Sequence, residues 1–285
     1  MILTKILNDY ELATASWGDA LFPIARNLFF LLATLEITWA ALRMALHGEN
    51  LAENLAYMTK LLIGISFFYA ILINADTWIP ALINSLSQAG GKISGLTRLD
   101  PSSIMQQGID IAASISQNMG LWFMFKSPIA TMVAGWTMLI VLIAFAVIAG
   151  HLLMALIESF IVIGAGVLFL GFAGSSWTVL MTERYLAYAL STGVKLFMLY
   201  ALMGVGQHIA AQWTTMLEQA GEFSPNIYLE ILGASIIFAA ITWFVPRMAA
   251  GLMSGAVSLA FSDLVMAGAA VGSMGRSAAM GTFSA

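Results

Sequence analysis

Residues 129–173, IATMVAGWTMLIVLIAFAVIAGHLLMALIESFIVIGAGVLFLGFA, carry a single charge, Glu158, over 45 positions. A bilayer core about 30 Å thick is crossed by about 20 helical residues. The run is therefore read as two membrane helices back to back, turning near Gly150-His151. A helix apolar on every side over such a length has to be surrounded by lipid or by other helices.

Composition agrees with a membrane chain. The 285 residues are 60% hydrophobic and 9% charged, and the mean hydropathy is +0.91. Ordinary soluble domains are about 25% charged, so folding in water would leave too little polar surface. The length suits one polytopic membrane domain. A net charge of −4 argues against direct nucleic-acid binding, which needs clustered Lys and Arg to neutralise phosphates. Cysteine is absent, which excludes disulfides, thiolate metal sites and cysteine nucleophiles.

Working outward, residues 1–20 do not read as a secretory signal, because Asp9, Glu11 and Asp19 follow Lys5 where an apolar core would be required. Ile2, Leu3, Ile6, Leu7, Tyr10, Ala13 and Trp17 recur at helical spacing instead. The pattern predicts an amphipathic helix, lying along a membrane surface, against a partner, or as a cap packed on the protein's own bundle. Residues 21–83 hold the first two hydrophobic segments, Leu21 to Leu46 and Leu55 to Ile83. The first contains Arg26, Glu36 and Arg43. It crosses the membrane only if Glu36 faces the bundle while the arginines snorkel to opposite interfaces.

Residues 84–128 form the one long polar stretch, read as an extramembrane arm with a short helix beginning at Asp100-Pro101. Residues 129–250 form the membrane core, with further hydrophobic segments at Tyr185 to Trp213 and Ile227 to Val245. Residues 251–285 are a Gly-, Ala- and Ser-rich tail. The fold class is thus all-α, polytopic, with five or six transmembrane helices plus the N-terminal amphipathic helix. If the last four segments all cross, Lys92, Arg98, Lys126, Arg184, Arg247 and Arg276 share one side, which places the C-terminus in the cytoplasm.

The residues offer no reaction chemistry. Gly90-Gly91-Lys92 is followed by Ile93 and lacks the upstream glycine of a phosphate loop. His47, His151 and His208 are scattered without metal-ligand spacing, and Gly-x-Ser-x-Gly is absent around Ser175. No enzyme activity, metal or cofactor is expected. The deep charges Glu158 and Lys195 say more. They lie on consecutive segments with opposite signs, and facing lipid would cost each a few kcal/mol. They are read as an ion pair tying two helices, as residues lining a wet interior or subunit seam, or as part of a proton relay. Gly164, Gly166, Gly171 and Gly174 form a small-residue strip, and Gly251-x-x-x-Gly255 and Gly268-x-x-x-Gly272 follow in the tail. Small residues let membrane helices approach closely, within one subunit or between copies.

Two blocks, Leu170-Gly171-Phe172-Ala173-Gly174-Ser175-Ser176-Trp177-Thr178 and Gly193-Val194-Lys195-Leu196-Phe197, with Tyr185-Leu186-Ala187-Tyr188-Ala189 between them, resemble the TrbL family. That family comprises polytopic inner-membrane subunits of conjugative type IV secretion systems. The resemblance implies a channel or scaffold subunit, a homo-oligomeric ring of several copies in lipid. Its expected partners are cytoplasmic ATPases and periplasmic stalk or pilus proteins, with translocated DNA or protein passing transiently. It puts weight on Ser175, Ser176, Trp177, Thr178 and Lys195. Glu158 and Lys195 would hold the bundle and the glycine strip would set the subunit seam. It also places the long arm in the periplasm, whereas the basic-residue count places it inside. A secondary transporter and a purely structural membrane anchor are the rival functions. The transporter predicts inverted repeats, and none is visible.

Overall fold

The computed structural model describes residues 2–47, 51–95, 100–117, 128–219 and 225–253. Among these residues every regular element is helical. The helices are α1 (Ile2–Ala15), α2 (Trp17–His47), α3 (Leu51–Ile73), α4 (Ala75–Ser94), α5 (Pro101–Gln117), α6 (Pro128–Leu170), α7 (Val179–Gln219) and α8 (Pro225–Met253). A 3₁₀ turn, Gly171–Gly174, leads from α6 toward α7. Five helical stretches are long and apolar enough to cross a membrane: Ile2–Leu46, Ala52–Ile73, Pro128–Gly174, Val179–Glu218 and Asn226–Met253. The chain is a multi-pass membrane protein.

Helix α6 is the axis of the bundle. It touches α1, α2, α3, α4, α5, α7 and α8. The sides of α6 that face these helices are apolar and close-packed, and Ile148, Ala149, Leu152 and Ala155 are wholly enclosed. The turn expected at Gly150-His151 is not there, and α6 runs unbroken for 43 residues. A lone glycine costs a helix interior only about 1 kcal/mol relative to alanine. A turn at this point would instead strip backbone hydrogen bonds inside an apolar environment, at several kcal/mol per unpaired group. His151 does not look outward as a loop residue would; it is buried.

The second hydrophobic segment also divides differently from its expected span. Asn74 ends α3 by turning its side-chain amide back to the Ala70 carbonyl at 2.7 Å, while its own carbonyl accepts from Thr77 and Trp78 to start α4. Position 84, the expected start of the polar arm, therefore falls inside α4. That helix lies along α7, and α5 lies along α6. Helix α5 starts where the sequence places it. Pro101 is its first residue, and Asp100 accepts the Ser102 amide at 3.0 Å and binds Thr4 Oγ1 at 2.7 Å.

The amphipathic α1 packs on α5 and α6, with Leu7 and Thr14 buried and Ile2 and Leu12 left outward. Contact with the protein's own bundle, one of the placements the sequence leaves open, is observed. Helix α2 continues from it after a break at Ser16 and buries Glu36, as crossing requires.

Candidate functional site

The Gly-Ser-Ser-Trp-Thr block forms the α6–α7 turn, and its partner is Glu36 of α2. Glu36 is 4% exposed, in the hydrophobic segment between Arg26 and Arg43. Ser175 Oγ donates to one carboxylate oxygen at 2.7 Å and Ser176 Oγ to the other at 2.8 Å. A buried carboxylate is tolerated when its oxygens are paired this way. Ser175 Oγ also accepts the Trp177 amide at 3.3 Å, and Trp177 packs edge-on against Trp39 with ring centroids 5.9 Å apart. Thr178 and Thr182 donate back to the carbonyls of Phe172 and Phe169, which closes the turn on itself. Each member of the block thus has a structural task, and Glu36 is the centre of it.

The glycines make this approach possible. A Cβ on Gly171 would lie 2.6 Å from the Ala25 carbonyl oxygen, and one on Gly174 would be 2.9 Å from the Ala33 amide nitrogen and closer still to the Phe29 carbonyl. Gly164 meets the backbone of Thr14 in the same way. Gly166 is filled by the ring of Tyr185, whose hydroxyl donates to the Val162 carbonyl at 3.1 Å. All four strip glycines are therefore occupied by the same chain: three by α1 and α2, one by α7. The seam between copies expected along this strip has no free face there. Gly251 has open space at its Cβ position, and Gly255 lies outside the described residues.

Two to three turns deeper, Glu158 and Lys195 meet. Lys195 Nζ donates to Glu158 Oε2, and Tyr188 Oη donates to Glu158 Oε1 at 2.8 Å. The pair is partly shielded, at 17% and 25% exposure for the Lys and Glu side chains. Its glutamate end opens outward through a shallow cavity of about 320 Å³ lined by Met154, Ile157, Glu158, Ile161, Val162 and Tyr188. The arrangement links α6 to α7 and presents a hydrogen-bonded carboxylate at the surface of an apolar helix. Two turns before Glu158, the buried His151 ring lies against Trp243 of α8 at 5.0 Å. The guanidinium of Arg247 covers the same indole at 5.4 Å. His151 Nε2 has no hydrogen-bond partner among the described residues.

Sequence reasoning found Glu158 and Lys195 through their depth, and the Ser-Ser-Trp-Thr block through resemblance. It did not join Glu36 to that block. The available signal was a carboxylate in an apolar segment, which needs donors, and hydroxyls clustered at a turn supply them. Tyr188 and the His151–Trp243–Arg247 stack were also missed, because neither follows from spacing along one helix. Among the described residues no group of three His, Asp or Glu side chains is arranged to hold a metal ion.

Comparison with known proteins gives this geometry a family. Residues 33–248 match the family described as TrbL/VirB6 plasmid conjugal transfer protein. The chain is 29% identical over 259 residues to a probable conjugal transfer protein TrbL of Sinorhizobium fredii (strain NBRC 101917 / NGR234). It is also 29% identical over 257 residues to a conjugal transfer protein TrbL of Rhizobium radiobacter. Each match takes in 90% of this chain and 64% or 63% of the relative, so the chain spans somewhat less than two thirds of their length. The matched range contains Glu36, the α6–α7 turn, the Glu158–Lys195 pair and Arg247. The chain belongs to the TrbL/VirB6 plasmid conjugal transfer protein family.

Proposed function

We propose that this protein is an inner-membrane subunit of a conjugative type IV secretion machine. It works as a homo-oligomer that helps pass DNA or protein and seats a stalk or pilus, with energy supplied by separate ATPases. The observation that carries the reading is the partly open Glu158–Lys195–Tyr188 cluster on an otherwise apolar helix. Facing lipid, such a group costs a few kcal/mol; facing water or another subunit, it does not. Polar groups placed this way line a conduit or a seam. Family membership supplies the setting, and the relatives, named as conjugal transfer proteins, supply the process.

The unbroken α6 bears on orientation. With no turn at Gly150, Lys126 lies just before one end of α6, whereas Arg184 and Arg247 gather at the other. The six basic residues counted in the sequence then divide evenly, Lys92, Arg98 and Lys126 before α6 and Arg184, Arg247 and Arg276 after it, so their count favours neither side. The resemblance decides the orientation we propose: the N-terminal end of α6 faces the periplasm, where a stalk docks, and the C-terminal end of α8 faces the cytoplasm.

The test is a mating assay in a strain lacking the gene, complemented with the wild-type chain or with photo-crosslinking residues at Tyr188 and Lys195. Adducts with transferred DNA at these positions support a conduit. Mating that proceeds at full efficiency without the protein overturns the proposal, and normal mating with no adduct to DNA at any position along α6 and α7 leaves only an anchor.

A further inference from the structure

Helix α5 has two chemically distinct sides. At about 100° per residue, Ile104, Gly108, Ile111, Ala112 and Ile115 fall within one arc of about 100°. All five are buried, and the helix packs on α6 and α7. Ser103, Gln106, Gln107, Asp110, Ser114 and Gln117 fill a second arc of about 100°, turned away from the first, and no apolar residue of α5 falls within it. Asp110, near the centre of that arc, is exposed. Gln106 Nε2 donates to Asp110 Oδ1 at 2.8 Å, and Ser114 Oγ donates to the Asp110 main-chain carbonyl at 3.0 Å.

Packing sets the depth of this polar side. Helix α8 carries no charge from Ile231 to Pro246, about 24 Å at 1.5 Å per residue, and Glu230 and Arg247 bracket that stretch. Hydrocarbon is about 30 Å thick. Thr137 of α6 donates to the Tyr228 carbonyl near the first bracket at 3.3 Å, and His151 lies against Trp243 near the second. Phe145 stands between these two contacts, and a Cβ on Gly108 of α5 would lie 2.5 Å from the Phe145 Cβ. Asp110 is about 3 Å further along α5, so it is level with the middle of the uncharged stretch. At this same level the far side of α6 suits lipid. Trp136, Leu139, Ile143 and Val147 are exposed there, within about 60° of the point opposite Phe145.

We infer that the outer side of α5 is the wall of a water-filled passage at mid-membrane depth, with lipid against the far side of α6. An ionisable group at that depth faces a bundle interior or a wet cavity, because hydrocarbon strongly disfavours it. Here the carboxylate stands among amides and hydroxyls that also need water. The sequence assigns α5 to an extramembrane arm on its polar composition alone; the contact of Gly108 with Phe145 sets that polarity beside a spanning helix instead. A wall of neutral hydrogen-bonding groups with one acidic side chain admits water and small hydrated cations. Its wetness rests on depth and polarity; its place in a transfer conduit rests on the reading of the preceding section.

The cysteine-free chain makes the test direct. Single cysteines are placed in the full-length protein at Gln106, Asp110 and Ser114 on α5, and at Leu139, Ile143 and Val147 on the far side of α6. Each variant is nitroxide-labelled and reconstituted in phosphatidylethanolamine–phosphatidylglycerol vesicles. Collision rates with oxygen, which concentrates in hydrocarbon, and with a neutral nickel chelate, which stays in water, are read by electron paramagnetic resonance. The expected nickel-to-oxygen ratio is at least fivefold higher at the α5 positions than at the α6 positions. Oxygen-dominated collisions at all six overturn the passage, as do α5 labels shielded from both reagents. Nickel-dominated collisions at all six place this level outside the bilayer and also overturn it. Mating by cells carrying the same cysteines is then measured with and without a cationic methanethiosulfonate reagent. A drop of at least tenfold at the α5 positions, and none at the α6 positions, supports the wall's place in the conduit. A wet α5 with mating untouched supports the passage and overturns that place.

Discussion

Replacing Gly171 with alanine tests whether α2 is held against the α6–α7 turn by backbone contact. The added Cβ would lie 2.6 Å from the Ala25 carbonyl oxygen and 3.0 Å from the Ala25 Cα. Both are backbone atoms of a helix, so no side chain can swing away. Restoring ordinary contact at 3.4 Å requires α2 to retreat by about 0.8 Å. Glu36 lies three turns further along the same helix, and its bonds to Ser175 and Ser176 are 2.7 and 2.8 Å. A rigid retreat of that size stretches them to about the limit at which a hydrogen bond persists. Overpacking costs about 1–3 kcal/mol, and each weakened bond to the buried carboxylate adds about 1 kcal/mol or more. Thermal unfolding of the detergent-purified protein, followed by tryptophan fluorescence, should show G171A melting several degrees lower than wild type. Trp39 and Trp177 sit at the affected contact and report on it. Gly64→Ala and Gly233→Ala are the controls, since their Cβ positions are open within 4 Å and alanine favours helix by up to about 1 kcal/mol. A G171A protein that melts with the wild type, while the controls behave as stated, would refute the account of this contact.

Three further outcomes follow from the polar groups. Glu36→Ala strands two serine hydroxyls and should cost about 2–4 kcal/mol, whereas Glu36→Gln keeps an acceptor and should cost about half as much; melting curves of E36A, E36Q and the S175A/S176A double variant measure the difference. Lys195→Met leaves Glu158 bonded to Tyr188 alone and should lower stability by about 1–3 kcal/mol, less than for a fully buried pair because both side chains are partly exposed. The reversed pair E158K/K195E should recover part of that loss, and equal melting temperatures for the single and reversed variants would argue against a coupled pair. His151→Phe keeps a ring against Trp243 and removes a buried nitrogen without a hydrogen-bond partner among the described residues. Its melting temperature should match or exceed that of wild type by up to about 1 kcal/mol equivalent.

What the chain's residue types determined is the solvent and the class of fold. An apolar run with one charge, Glu158, dictates helices in lipid, because only helices satisfy their own backbone there. Asp100-Pro101 marked the start of α5 by local capping chemistry, and Glu36 had to turn inward because lipid rejects a carboxylate. The family blocks were legible as strings, but their purpose was not. Whether Gly150 bends the chain depended on what lies beside it, and the packing of His151 against Trp243 on α8 favoured a straight helix. Whether Gly171 and Gly174 receive a second copy or α2 was decided by contacts between positions more than a hundred residues apart. The joining of Glu36 to Ser175 and Ser176 across 139 and 140 residues is of the same kind. Periodicity records which side of a helix avoids water; only the folded chain shows which neighbour takes that side, because close packing is a property of two surfaces together.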